Sequence, residues 1–556
     1  MTVLKKNDTT NYERFFCLVK EILSDKKVTI AIILLVILSR ALQLIYYYNI
    51  YVDASYQVMG TQSLLYGHGV STPNVLANNL SATIYTPLIN WPPGYSFLFT
   101  PFFYLFNYNY IAAGITIDIL SAITLIFICR GILKVLEVPL YLRNLFTLLT
   151  GFFIYYFYFN ACSDAIGITF ILIAVYFTLI LIKYKKNIAK NSLCLTFFLF
   201  LAALLKYLFM PVIFVVPLFL FLKGRSDGDK KVRNAGLFSF FAITILLCSL
   251  LIYQKTVGGS ATYISATERG FFPENLLETY PTFPASFLKP DTISLLSTNE
   301  PRTKGFIYKL YQVIYVVFLI TTILLFCKQL FKQGFKKLTL TQSFYYLIFL
   351  LSLAVIILLI VLSLRVGKEE IFSWYLWTYV EDGRYYGLPN VLMHLAIIVI
   401  YHNHTNSSRK FLKHAPCFFL LLMIPEMLRG LYFDINRIRN YKKEEYSWQY
   451  DNRFQKYASS IINNEKRMNP GKKIIVTGTS YNMNHRVVIN SHVPPLTDVQ
   501  KINSLSTINT KTPVILLAMI QKDSLAAYQP FTIQKNVKTV GNFEGFTFYT
   551  AYVTPH

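Results

Sequence analysis

Charge is scarce in this 556-residue chain, where 15% of residues are Asp, Glu, Lys or Arg and 54% are hydrophobic. With a mean hydropathy of +0.43, that balance excludes an ordinary soluble domain, in which about a quarter of residues are charged. Acidic residues are the scarcer kind, 28 against 53 Lys and Arg, for a net charge of +25. The basic residues fall in short clusters between apolar runs, so they read as topology signals, and nucleic-acid binding is not expected. Cysteine is sparse: Cys17, Cys129, Cys162, Cys194, Cys248, Cys327 and Cys417 lie mostly in or beside apolar stretches. Without C-x-x-C spacing or a Cys/His cluster, disulfides and structural zinc are not expected. No P-loop, G-x-G-x-x-G or nucleophile elbow occurs, so nothing supports direct binding of a nucleotide or nucleotide sugar. The lack of an internal repeat argues against the inverted-repeat plan of many secondary transporters. The first long apolar run lacks a small-residue cleavage site and follows a basic stretch (Lys5, Lys6, Arg14, Lys20, Lys26, Lys27). This reads as an uncleaved span with a cytoplasmic N-terminus.

What the chain has in quantity is apolar helix and aromatic side chains, with 41 Tyr and 46 Phe, as expected where many helix ends meet membrane interfaces. At about 20 apolar residues per crossing, eleven spans are expected, near 28–48, 111–133, 142–160, 164–182, 191–205, 207–223, 235–254, 309–327, 343–364, 387–401 and 415–433. The run 93–106 is apolar but short, and it reads as a juxtamembrane or re-entrant segment. The basic clusters then fall on the inside: Lys134 and Arg143, Lys183 to Lys190, Lys223 to Arg233, Lys328 to Lys337, and Arg409 to Lys413. Counting 93–106 as a span would invert every later loop against the positive-inside rule.

The expected fold is therefore an all-α polytopic membrane domain over residues 1–433, with outer loops at 50–110 and 255–308, and a tail over 434–556. The tail turns polar and carries strand-like runs at 473–477, 513–517 and 546–549 with a helical stretch near 450–464. It reads as a small extracytoplasmic α/β domain. A basic linker (Arg437, Arg439, Lys442, Lys443) joins the two parts.

The first outer loop holds Tyr51-Val52-Asp53-Ala54-Ser55-Tyr56, then Leu64-Leu65-Tyr66-Gly67-His68-Gly69, and ends Asn90-Trp91-Pro92-Pro93-Gly94-Tyr95-Ser96. Taken alone, Asp53 at a helix exit is most simply a solvated loop residue. Asp164 follows Asn160-Ala161-Cys162-Ser163 at the outer end of a span, where a helix N-cap is the plain reading. Lys206 sits between two spans that turn with almost no loop, so it either snorkels to the interface or meets an anion. Glu381-Asp382-Gly383-Arg384-Tyr385-Tyr386-Gly387-Leu388-Pro389 precedes an outer helix end. A guanidinium there fits phosphate oxygens, or joins a salt bridge and an aromatic belt. Arg40 and Asp118 lie inside apparent spans, where charges are paired or functional. Glu268-Arg269-Gly270 lies in the fourth outer loop, while His68 and His394 make no ligand set with each other.

An Asp right after the first span, a following Tyr, a Leu-Leu-x-Gly-x-Gly turn and Pro-Pro-Gly-Tyr, in this order, resemble the GT-C membrane glycosyltransferases. Within these the pattern is similar to the glycosyltransferase family 39-like group, which includes protein O-mannosyltransferases and the aminoarabinose transferases that modify lipid A. The resemblance covers about residues 30–401. It implies Asp53 and Asp164 as catalytic acids, with a divalent cation (Mg or Mn) between them as an option. It also implies Lys206, Arg384, Tyr385 and Arg269 as phosphate or substrate contacts. The donor it implies is a polyprenyl-phosphate sugar, and the acceptor a lipid, glycan or protein at the outer face, in a bacterial inner membrane. Two places depart from the pattern: Trp91 stands where aminoarabinose transferases carry a charged residue, and Ala54, not a second acid, follows Asp53. A flippase for a lipid-linked glycan and a membrane glycan ligase or polymerase are the alternatives.

Overall fold

A computed structural model describes residues 11–47, 52–152, 163–262, 338–364, 383–404 and 448–555, together with Phe271, Pro273 and scattered positions between 424 and 439. The chain is mostly helical. It opens with α1 (Asn11–Ser24) and α2 (Lys26–Tyr47), separated by Asp25, whose carboxylate accepts from the amides of Lys27 and Val28 at 2.6 and 3.1 Å and so starts the second helix. After α3 (Val52–Leu65) comes a hairpin of β1 (Ser71–Leu76) and β2 (Asn79–Pro87). Then follow α4 (Gly94–Leu105), α5 (Tyr110–Val135), α6 (Leu140–Gly151), α7 (Ser163–Tyr184), α8 (Ile188–Leu205), α9 (Val215–Ser226) and α10 (Lys230–Gly258). Two later helices are α11 (Leu340–Ser363) and α12 (Gly387–His404). Polar caps set the long helices: Asn109 caps α5, Asp229 caps α10, and Thr339 with Gln342 forms a capping box on α11.

Among the described residues, seven helices are long and apolar enough to cross a membrane, including α2, α5, α7, α8, α10 and α11, with Tyr207–Ser226 as the seventh. This is an integral membrane protein. Leu172, Leu199, Ile213, Leu347 and Leu392 join α7, α8, α11 and α12 in one buried core. The expected span at 309–327 and most of that at 415–433 fall outside the described residues, as do residues 153–160 of the expected span 142–160 and most of the basic linker. The short run 93–106 is α4, a 12-residue helix containing Pro101. At 1.5 Å per residue it extends about 18 Å, short of a bilayer core of about 30 Å.

The tail begins with α13 (Trp448–Met468) and β3 (Lys473–Gly478), followed by α14 (Tyr481–Ser491), β4 (Val514–Gln521), β5 (Val537–Phe543) and β6 (Phe546–Val553). The sheet order is β3-β4-β6-β5, with β3 and β4 parallel and the other pairs antiparallel. Seven of the eight residues of β4 are buried, the unbroken apolar run expected of a strand covered on both faces. Alternate residues go to opposite sides. Ile515, Leu517 and Met519 meet Phe454 and Ala458 of α13, and Val514, Leu516 and Ala518 join a second core with Val75 and Leu80 of the hairpin.

That hairpin was not expected from the sequence, and it binds the segment between α3 and α4 to the tail. Val75 N donates to Pro495 O at 3.0 Å, Leu80 N to Asn509 O at 2.9 Å, and Asn509 N to Ala77 O at 2.8 Å. Lys473 Nζ donates to the carbonyls of Leu80 and Ser81 at 3.0 and 3.1 Å. The hairpin segment and the tail thus share hydrogen bonds and a core.

Candidate functional site

α8 stops at Leu205 because Lys206 is extended, with φ −155° and ψ 135°, before a single 3-10 turn at Tyr207–Phe209. This break turns Lys206 onto Asp164, the second residue of α7, and the two side chains form an ion pair. Asp164 is 2% exposed and Lys206 9%, so both were drawn out of solvent into the bundle. The helix N-terminus adds a favourable partial positive charge beside the carboxylate. Lys206 Nζ also stands 4.2 Å from the ring centre of Tyr385, a cation–π distance. Three of the residues singled out in the sequence, at 164, 206 and 385, are therefore neighbours. Lys206 does not snorkel: its charge is held inside by an anion.

Arg384 precedes Tyr385 in the 3-10 turn Gly383–Tyr386, and only its backbone is described. Arg269 lies outside the described residues, as do Glu381 and Asp382.

Asp53 is the second residue of α3 and half-buried. Its backbone carbonyl accepts from Gln57 Nε2 at 3.2 Å. Tyr56, one turn on, stacks on Trp91 at 5.3 Å and 22°. α3 is tied to α4 where Ser96 Oγ donates to Gln57 O at 2.7 Å and Thr61 Oγ1 to Ser96 O at 3.0 Å. α4 in turn lies against the end of α8, so close that a Cβ at Gly94 would collide with the carbonyl of Leu204. From the other side Tyr207 Oη donates to Ile89 O at 2.7 Å and accepts from Gln254 Nε2 at 2.7 Å. The Trp-Pro-Pro-Gly-Tyr segment is thus the structural link between the Asp53 helix and the Lys206 break. Ala54, Leu205 and Ile166, each next to or near one of the three charged positions, belong to one buried cluster that also contains Val487 and Val488 of the tail.

The tail contributes residues that the sequence did not single out. Ser55 Oγ lies 2.8 Å from His485 Nδ1, and the rings of Tyr56 and His485 meet edge-on at 4.3 Å. Gln62 Nε2 donates to Ile489 O at 3.0 Å and contacts His492 Nδ1, and Tyr66 Oη lies 3.3 Å from the same nitrogen. Burial, with Arg486 adding to it, pushes the His485 imidazole down to about 4. Burial and Lys466 lower His492 as well. In the sequence His485 is one polar residue among several in Asn482-Met483-Asn484-His485-Arg486, with no spacing that marks it.

Elsewhere, Arg40 donates through Nε and Nη2 to the carbonyl of Gly151 at 2.9 and 2.8 Å and through Nη1 to Gln43 Oε1 at 2.7 Å, pinning the end of α6 to α2. Asp118 is buried on α5. Among the described residues no three His, Cys, Asp or Glu side chains gather to hold a metal. One oxygen of Asp164 is engaged by Lys206.

No family model matches the chain, and no curated protein matches it in sequence. Among solved structures, ArnT from Cupriavidus metallidurans bound to undecaprenyl phosphate is similar at 10% identity and a TM-score of 0.47, over 94% of this chain and 97% of that one. The oligosaccharyltransferase of Archaeoglobus fulgidus in its apo form is similar at 9% identity and a TM-score of 0.49, over 92% of this chain and 71% of that one. AglB from Archaeoglobus fulgidus in complex with an inhibitory peptide and a dolichol-phosphate is similar at 10% identity and a TM-score of 0.43, over 91% and 71%.

Proposed function

We propose that this protein is a membrane glycosyltransferase that moves a sugar from a polyprenyl-phosphate carrier to an acceptor hydroxyl at the outer face of the membrane. The observation that carries this reading is the buried cluster of Asp164, Lys206 and Tyr385. A buried ion pair is weak evidence for stability, since well-packed apolar residues often serve as well, so its presence at a helix break calls for another reason. An ammonium has three protons to donate. One carboxylate and one ring face do not exhaust it, and a phosphate oxygen is the natural further partner at the end of an apolar bundle.

In this reading Asp53 takes the proton of the acceptor hydroxyl as its oxygen attacks the anomeric carbon. The bond from that carbon to the phosphate oxygen breaks, and its electron pair leaves with the lipid phosphate. Lys206, with Arg384 and Arg269, offsets the charge left on the phosphate. Displacement by a single base inverts the anomeric centre. Base assistance contributes about 10²–10⁴-fold, and stabilisation of the leaving phosphate is the larger contribution. Residues 1–433 carry the donor site and 434–556 cover it on the outer side, in a bacterial inner membrane; the acceptor is a lipid, glycan or protein.

The test is transfer by the purified protein in liposomes with a polyprenyl-phosphate sugar. Asp53→Asn is expected to keep donor binding while turnover falls at least about 10²-fold. Full activity in a folded Asp53→Asn variant removes Asp53 from the mechanism. A parallel arm with EDTA reads out any divalent cation at Asp53 and Asp164, and wild-type protein that moves the lipid across the bilayer without making a glycoside is a flippase.

A further inference from the structure

The tail reaches the Asp53 helix through one imidazole. His485 of α14 is 3% exposed and Ser55 1%, and they meet through the 2.8 Å contact between Nδ1 and Oγ. The same ring stands edge-on to Tyr56, whose face is held by Trp91. Ser55 and Tyr56 are the second and third residues after Asp53, at the end of the first turn of α3 and the start of its second, next to the helix terminus where the backbone frays most easily. Two residues within one helical turn of the carboxylate are thus gripped from outside the helix. With its pKa pushed down to about 4 by burial, the His485 ring is neutral at pH 7 and makes this contact without burying a charge. The apolar anchoring of α14 comes from Val487, Val488 and Ile489, so the imidazole is not needed to fill apolar volume.

We infer that His485 is a positioning residue for Asp53: by fixing Ser55 and Tyr56 it holds the first turn of α3, so that the reaction site is completed by the tail domain. The chemical consequence rests on the transferase reading, whereas the geometry does not. Two readouts separate them. One is transfer kinetics of the full-length protein in nanodiscs with a synthetic undecaprenyl-phosphate hexose as donor and an envelope-glycan extract as acceptor. The other is the rate at which an Asp53→Cys thiol reacts with a methanethiosulfonate reagent, measured in each His485 background with the seven native cysteines replaced by alanine.

His485→Leu removes the hydrogen bond and keeps apolar bulk; His485→Asn keeps a hydrogen-bonding atom near the Nδ1 position. With Leu, kcat is expected to fall about 10–100-fold, the scale of a misplaced catalytic group, while the donor KM stays within about twofold and the thiol rate shifts at least about threefold. Asn is expected to restore most of both. Ser55→Ala removes the same bond from the other partner, so it serves if His485→Leu does not fold, with the same loss of kcat expected. A folded His485→Leu variant with wild-type kcat and thiol rate overturns the inference, and so does an Asn variant as impaired as Leu. If the wild-type protein shows no transfer while the Asp53→Cys thiol rate still shifts with His485→Leu and recovers with His485→Asn, the transferase reading fails and the positioning inference stands.

Discussion

Lys206 and Asp164 hold each other in a place that neither could occupy alone. Lys206→Met leaves a carboxylate 2% exposed without its cation, and removing one partner of a buried pair costs about 3–5 kcal/mol. Adding Asp164→Asn is expected to recover most of that loss, because the orphaned charge goes with it. A double-mutant cycle on unfolding in detergent checks this, and additive single effects would mean that the two side chains are not coupled. Both residues were visible in the sequence as charges at the ends of apolar runs, where a charge requires a reason. That they meet was not visible, since 42 residues separate them and nothing in either neighbourhood names the other. His485 was invisible for the opposite cause: it lies in a polar stretch where a histidine excites no suspicion, and its importance arises only from what lies 430 residues earlier.

The helix α4 has two jobs, gripping α3 through Ser96 and approaching α8 through Gly94. Gly94→Ala is expected to destabilise the protein by about 1–3 kcal/mol, the usual cost of overpacking, because the added methyl meets a backbone carbonyl that cannot turn aside. Thermal unfolding of the variant checks it, and an unchanged midpoint would show that α4 can retreat from α8 without loss. β3, β4 and β6 were legible at this scale as runs of Ile, Val, Leu and aromatics. β5 was not: it is an edge strand paired only to β6, with three exposed residues in seven and a glycine at its irregularity, so it lacks the apolar signal of its neighbours. The β1–β2 hairpin escaped for a related reason, since its strands are rich in Thr, Asn and Ser, and its two core residues, Val75 and Leu80, gain their cover from the tail.

Across the whole molecule, the seam between α3 and the tail carries a pH dependence. Histidine ordinarily titrates at 6.5, and His485 is pushed down to about 4. Between those values the unfolded chain binds the extra proton, so this contribution to stability is complete above pH 6.5 and drains away as the pH falls towards 4. Each tenfold loss of proton affinity on folding corresponds to about 1.4 kcal/mol, so the whole contribution is at most about 3–4 kcal/mol. Carboxylates titrate at the lower end of the same window, so the informative quantity is a difference. Between pH 7.5 and 5 the unfolding midpoint of the wild-type protein is expected to drop more steeply than that of His485→Asn, and equal slopes would show that the imidazole is not protonated on unfolding. The partition into an apolar bundle and a polar tail was plain in composition alone. The way the two interlock was not, because composition reports what a segment can bury and not which distant segment will bury it.

That interlocking also sets a timetable for biosynthesis. Ser81 waits for Thr510, 429 residues further along the chain, and at about 5–20 residues per second of synthesis the wait is roughly 20–90 s. For that interval Val75 and Leu80 have no core to enter, since the sheet that buries them has not been made. A nascent chain of this protein therefore carries uncovered apolar side chains on its β1–β2 hairpin until the sheet of the tail has been made.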